Sequence, residues 1–147
     1  MSAIADNLKK ITQTLPEHVQ LVAVSKFHPE ADLLEAYNAG QRVFGESRMQ
    51  ELVAKEESLP KDIKWHFIGN LQTNKVKYIT PFVDTIHSVD SWKLLKEIGK
   101  QTAQNERSVK CLLEIHIAKE STKQGMTIEE CRSMLIENDW QGLKFVK

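Results

Sequence analysis

Gln20-Leu21-Val22-Ala23-Val24-Ser25-Lys26 is the stretch on which the reading of the chain turns. Its apolar, partly β-branched residues have the length and character of a buried strand in a parallel sheet. Lys26 closes the run, and Phe27-His28-Pro29 follows where a helix should begin. In α/β proteins the carboxyl ends of parallel strands are where the chemistry sits. A lysine amine withdrawn from water at such a place is a nucleophile for a carbonyl carbon, the arrangement of a Schiff-base lysine. The same residue also fits a plain strand-end lysine whose stem carries its charge out to water.

Working outward, residues 2–15 carry Ile4, Leu8, Ile11 and Leu15 at helical spacing, and Pro16 ends that helix. Apolar or β-branched runs of strand length recur at 20–25, 42–45, 64–69, 83–89, 109–118 and 143–147. Helical patterns fill the gaps. Leu33, Leu34, Ala36 and Tyr37 precede Gly40 as a stop, Met49, Leu52 and Val53 mark the next helix, and Trp92, Leu95 and Ile98 a later one. A short helix is expected over 74–79 before Pro81. Thr127 with Glu130 three residues on forms a capping box for the last.

Strands alternating with helices make a parallel sheet built from right-handed crossovers. Two architectures compete. At 147 residues, length favours an open doubly wound sheet, since a (β/α)8 barrel normally needs about 200 residues or more. Yet the chain stops at Leu143-Lys144-Phe145-Val146-Lys147, inside what reads as a sixth strand with no helix to cover it. The length suits one domain, spanning 1–147.

Composition narrows the function classes. Lysine plus arginine and aspartate plus glutamate are 20 each, so no global field favours nucleic acid or an anionic membrane. The amino-terminal residues form no secretory signal, no segment is apolar enough to span a bilayer, and a cytoplasmic location is the default expectation. Cys111 and Cys131 form no CxxC pair and read as core residues of a protein from a reducing compartment.

Other motifs carry candidate chemistry. Gly69-Asn70-Leu71-Gln72-Thr73-Asn74-Lys75-Val76 follows a strand and enters a helix, but Asn74 and Val76 stand where a nucleotide loop needs Gly and Ser or Thr. It still offers helix N–H groups and Lys75 to an anion. His66, His87 and His116 fall on three successive strand runs with Glu114 beside the last, but their spacing carries no metal motif, and no metal is expected. Gly45-Glu46-Ser47-Arg48 places polar side chains above the sheet, with Glu46 and Ser47 able to cap the following helix. The polar loop Glu120-Ser121-Thr122-Lys123-Gln124-Gly125 is expected on the same side, where Lys123 could approach the same pocket, though read alone it is a surface loop.

Taken together, Leu21 through Lys26, Ala39-Gly40-Gln41-Arg42-Val43-Phe44-Gly45-Glu46, Met49-Gln50-Glu51, Trp65-His66-Phe67-Ile68-Gly69, Leu71-Gln72, Asn74-Lys75 and the Ser121 to Gly125 loop closely resemble the pyridoxal phosphate homeostasis proteins, in order and over about residues 4–147. That family is similar to a free-standing alanine racemase barrel domain. The resemblance implies a PLP-binding (β/α)8 TIM-type barrel, here truncated to roughly its first five or six βα units. It implies that Lys26 binds pyridoxal 5'-phosphate (PLP) as an internal aldimine, with Ser47, His66 and Lys123 as further cofactor-binding residues by matching position. Many relatives carry Asn where Ser47 stands.

The function it implies is PLP homeostasis, meaning storage, delivery or buffering of the cofactor, with no strong catalysis and no catalytic residues assigned. Partners are then PLP itself and PLP-dependent apo-enzymes. A PLP-dependent racemase is the alternative, but a racemase needs proton-transfer groups on both faces of the substrate carbon, and no second, tyrosine-bearing domain is present to supply one. A further alternative is an α/β binding module that takes no cofactor. Relatives run roughly a third longer, and the resemblance implies a phosphate cup in loops after the last strands. Without two or three charge-assisted hydrogen bonds at about 1.5–3 kcal/mol each, cofactor binding would weaken by several orders of magnitude. The complete family member is expected to be a monomer, whereas open sheet edges would invite association in a shortened chain.

Overall fold

The computed structural model describes residues 2–119 and 124–147. Helix α1 (Ala3–Thr14) is capped by Ser2, whose hydroxyl accepts the Ala5 N–H at 3.2 Å. The elements that follow are β1 (Ala23–Val24), α2 (Glu30–Asn38), β2 (Val43–Glu46), α3 (Met49–Ser58), β3 (Lys64–Phe67), α4 (Val76–Ile79), β4 (Thr85–Val89), α5 (Trp92–Asn105), β5 (Lys110–Leu113) and α6 (Ile128–Glu137). Gly40 stops α2 at a φ of 109°, donating its N–H to Tyr37 O at 2.9 Å while Gln41 N–H reaches Ala36 O at 3.0 Å. The expected capping box is formed by Thr127 and Glu130.

All five strands are parallel and lie in the order β1-β2-β3-β4-β5. That order decides between the two architectures. A doubly wound sheet reverses direction at a switch point and carries helices on both faces, whereas a barrel adds every strand to the same edge. Here each crossover extends the same edge, and helices α2 to α6 bury Leu33, Leu52, Ile79, Leu95, Ile98 and Met134 in a single core with Phe44, Trp65, Phe67 and Ile86. The open doubly wound sheet that length alone favoured is therefore not formed.

Most strand readings shorten: 20–25 is paired only at Ala23–Val24, 64–69 only to Phe67 and 83–89 only from Thr85. The run 109–118 stays in the sheet only to Leu113. Beyond it the backbone finds other partners, with His116 N–H donating to Met126 O at 2.7 Å and Met126 N–H to Glu114 O at 2.8 Å. Residues 143–147 pair with the outer edge of β5 through a single bridge, Val109 with Val146, supported by Lys147 N–H to Val109 O at 2.9 Å and Cys111 N–H to Lys147 O at 2.7 Å. This is the start of a sixth parallel position.

Register assigns the two faces. Val24, Gly45, His66, Thr85 and Lys110 are successive partners and form one row on the face away from the helices. Phe44, Trp65 and Glu46, Phe67 point the other way, under the helices. Val24 and Leu112 are 53% and 50% exposed, so the inner face is open at its outer strands, whereas His66 and Thr85 in its middle are buried.

Candidate functional site at the carboxyl end of β1 and β2

Ser25, Lys26, Phe27 and His28 form a tight turn at the end of β1, closed by the His28 N–H donating to Ser25 O at 3.1 Å. Lys26 is at its tip and exposed, not withdrawn from water as the Schiff-base reading of the sequence expects, and among the described residues no ion pair engages its amine. Phe27 takes a φ of 67°, the left-handed region that Gly or Asn usually fills at this turn position. A bulky side chain there costs on the order of 1–3 kcal/mol unless its surroundings enforce it.

What enforces it lies beneath. Glu51 accepts the Phe27 N–H at 2.9 and 3.2 Å, and the Arg48 guanidinium stacks 4.7 Å over the Phe27 ring. On the other flank Ser25 N–H donates to Gly45 O at 2.9 Å, the Ser25 hydroxyl donates to Glu46, and Lys55 Nζ donates to Ser25 O at 2.9 Å. Lys55 Nζ also lies 3.1 Å from each Glu46 carboxylate oxygen and 3.4 Å from Glu51. Glu46 is completely buried and Lys55 nearly so.

Each side chain of this network is where it is for a local reason. Glu46 is the last residue of β2 on the helix-covered face, one step beyond Gly45. Lys55 shares the buried stripe of α3 with Leu52, three residues before it, and Leu59 follows four residues on. Burial pushes the Glu46 carboxyl up, opposed by its bonds to Ser25 and Lys55. For Glu51, burial also pushes upward, but the Phe27 N–H and the Lys55 charge outweigh it and leave its carboxyl below the usual value. The capping role expected for Glu46 and Ser47 is not observed: Arg48 is the residue before α3 and makes no side-chain cap bond.

The remaining expected site residues are dispersed. Ser47, half-buried, lines a polar groove with Arg48, Gln50, Asn70, Gln72 and Lys75. Gly69 abuts the Ser47 backbone so closely that a β-carbon would collide with it, which fixes the two loops together. Lys75 ends a 3-10 turn, Thr73–Lys75, and α4 beyond it has only four residues, too few for the strong anion-attracting dipole the sequence allowed. His66 lies one row deeper on the inner face than Lys26 does. Its Nδ1 is 2.8 Å from His87 Nε2, and its Nε2 is 3.4 Å from Asp84 Oδ1. Burial and the neighbouring ring hold His66 below its ordinary value, and burial does the same for His87. Lys123 lies outside the described residues.

His116 is not brought to the histidine pair, and among the described residues no three His, Cys, Asp or Glu side chains converge as metal ligands. Cys131 is buried and Cys111 packs against the core, with its thiol pushed up to about 12 by burial. The sequence reading passed over Lys55 and the pairing of His66 with His87. Lys55 was visible in principle as a lysine on an apolar helical stripe, four residues after Glu51.

Residues 1–146 match the alanine racemase N-terminal domain family. The chain belongs to that family. Within it, the chain is 36% identical to the pyridoxal phosphate homeostasis protein of Vibrio alginolyticus, over 88% of this chain and 62% of that protein. It is 41% identical to the protein of that name from Aquifex aeolicus, over 78% and 51%. A structure of PipY from Synechococcus elongatus with PLP bound superposes with a TM-score of 0.88 at 39% identity, over 98% of this chain and 66% of that one. Alanine racemase from E. faecalis superposes with a TM-score of 0.71 at 17% identity, over 90% of this chain and 37% of that one, which shows the common fold. The chain thus spans between half and two thirds of the length of these homeostasis proteins. No helix among the described residues is long and apolar enough to cross a membrane.

Proposed function

We propose that this chain attaches PLP covalently at Lys26 and takes part in PLP homeostasis, storing, delivering or buffering the cofactor without a dedicated reaction of its own. The observation that carries the proposal is the placement of Lys26: an exposed amine at the carboxyl end of a parallel strand, on a turn whose two flanking peptides are held by side chains. The donor set fits the aldehyde end of PLP, since Lys26 Nζ condenses with an aldehyde carbon and releases one water. Ser47, His66 and Lys123 are proposed as further cofactor-binding residues. PLP-dependent apo-enzymes are the proposed recipients, and the cytoplasm the proposed location.

The similarity to proteins named for PLP homeostasis, and to PipY solved with PLP, supports this reading over a cofactor-free binding module. An absorbance titration tests it. Adding PLP to the protein should raise the visible band of a lysine-bound cofactor, and Lys26→Met should abolish that band. A band of equal size in Lys26→Met would refute the assignment. Absence of α-deuterium exchange from labelled amino acids in the PLP-loaded protein is the expected result for a carrier, and sustained exchange would favour the racemase alternative.

A further inference from the structure

The geometry points to Glu51 and Lys55 as positioning residues for Lys26, a role that rests on the proposed attachment of PLP there. Between them they bind the peptide groups on both sides of Lys26: Lys55 Nζ holds Ser25 O at 2.9 Å, and Glu51 holds the Phe27 N–H at 2.9 Å. The 3.4 Å contact between Lys55 and Glu51 joins the two grips, and Glu46 anchors Lys55 from below at 3.1 Å. Neither residue reaches the Lys26 amine. They act on the direction in which the backbone presents it.

The turn needs that grip. Phe27 at a φ of 67° occupies a conformation that bulky residues rarely keep without external support. If the Phe27 N–H lost its carboxylate, the peptide joining Lys26 to Phe27 would be released to rotate, and the side chain of Lys26 would sweep a wider arc. An amine waiting for one carbonyl carbon reacts faster when that arc is narrow, and small misplacements carry large rate costs. A buried ion pair is moreover a poor way to gain stability compared with apolar residues of similar size. What this one fixes is the strand end that carries the amine.

Glu51 suits the test because it is the most solvent-accessible member, with its side chain 23% exposed, so Glu51→Gln should fold. Two readouts are taken below the melting temperature. One is the rate at which PLP becomes attached to Lys26, followed by absorbance. The other needs no cofactor: competitive acetylation by acetic anhydride, with the Lys26 rate expressed relative to the exposed Lys9 by peptide mass. Glu51→Gln should slow PLP attachment about tenfold and change the Lys26 to Lys9 ratio at least about threefold. Glu51→Asp, which keeps the charge but withdraws it by one methylene, should give a smaller change in the same direction and stands in if Glu51→Gln fails to fold.

A lowered melting temperature with both Lys26 readouts unchanged would overturn the positioning role, since that is what a merely structural contact produces. The two proposals fail separately. Absence of PLP attachment in the parent protein refutes the function, while the acetylation ratio still decides the positioning. Normal PLP attachment in the parent, matched in rate by Glu51→Gln, refutes the positioning alone.

Discussion

Two buried polar clusters lie on opposite faces of one sheet, and they solve the same physical problem differently. Under the helices, Glu46 and Lys55 are both nearly or wholly inaccessible and both keep hydrogen-bond partners, so their charges compensate one another within 3.1 Å. On the inner face, His66 and His87 share a 2.8 Å contact and are held below their ordinary values by burial, which favours neutral rings. In a dry core a charge survives only beside its partner, whereas a histidine can discard its charge. The ionic cluster grips the backbone at Ser25 and, through Glu51, at Phe27. The histidine pair grips only its own strands.

The contrast is broken most forcefully by removing one ion. Lys55→Met leaves Glu46 uncompensated in the core and should cost about 3–5 kcal/mol in urea unfolding, while the paired change Glu46→Leu with Lys55→Met should recover most of that loss. Equal losses in the single and paired variants would show that the interaction is not ionic. The covered and open faces differ on a smaller scale. Ile86→Val deletes one methylene from a wholly buried site and should cost about 1 kcal/mol, whereas Leu112→Ala, at a side chain half exposed on the inner face, should cost about 0.5 kcal/mol despite deleting more atoms.

Acid sharpens the comparison further, because the two clusters respond with opposite sign. His66 and His87 have folded values below 6.5, so the unfolded chain takes up protons first. Their contribution is complete above 6.5 and is lost as pH falls through the folded values. Glu46 has a folded value above 4.5, so its contribution is complete below 4.5 and is lost as pH rises through the folded value. As pH falls from 7 toward 4.5, the histidine loss and the Glu46 gain should therefore partly cancel in the parent's stability to urea. His87→Gln should reduce the loss on acidification, and the Glu46→Leu, Lys55→Met pair should steepen it. Parallel pH curves for all three proteins would contradict this account.

Much of this molecule was legible before its structure. Strands β2, β3 and β4 follow the apolar runs at Phe44, Trp65 and Ile86, and α6 begins at the capping box the sequence displays. Those signals are local, set by periodicity and by side chains reaching their own backbone. The strand order is not local: length alone favours the open sheet, whereas the family resemblance implies the barrel, and the order β1 to β5 along one edge agrees with the resemblance. Lys55 stayed hidden because its sequence neighbours, Lys55-Glu56-Glu57-Ser58, read as a solvated helix end. Its burial depends on Ser25, 30 residues away in sequence, arriving at the same strand end. Ser47 and His66 are placed by resemblance, and neither matching position nor composition reveals that one lines a loop groove and the other pairs with His87.

The smallest expected effect on stability accompanies the largest on function. Lys26 is exposed and engages no described ion partner, so Lys26→Met should leave the unfolding free energy in urea within about 0.5 kcal/mol of the parent. The decisive measurement is borohydride reduction of the protein mixed with PLP, followed by peptide mass mapping. A single stable adduct on the peptide containing Lys26, absent from Lys26→Met, is the predicted result. An adduct on Lys75 or Lys123 with Lys26 unmodified would contradict the account.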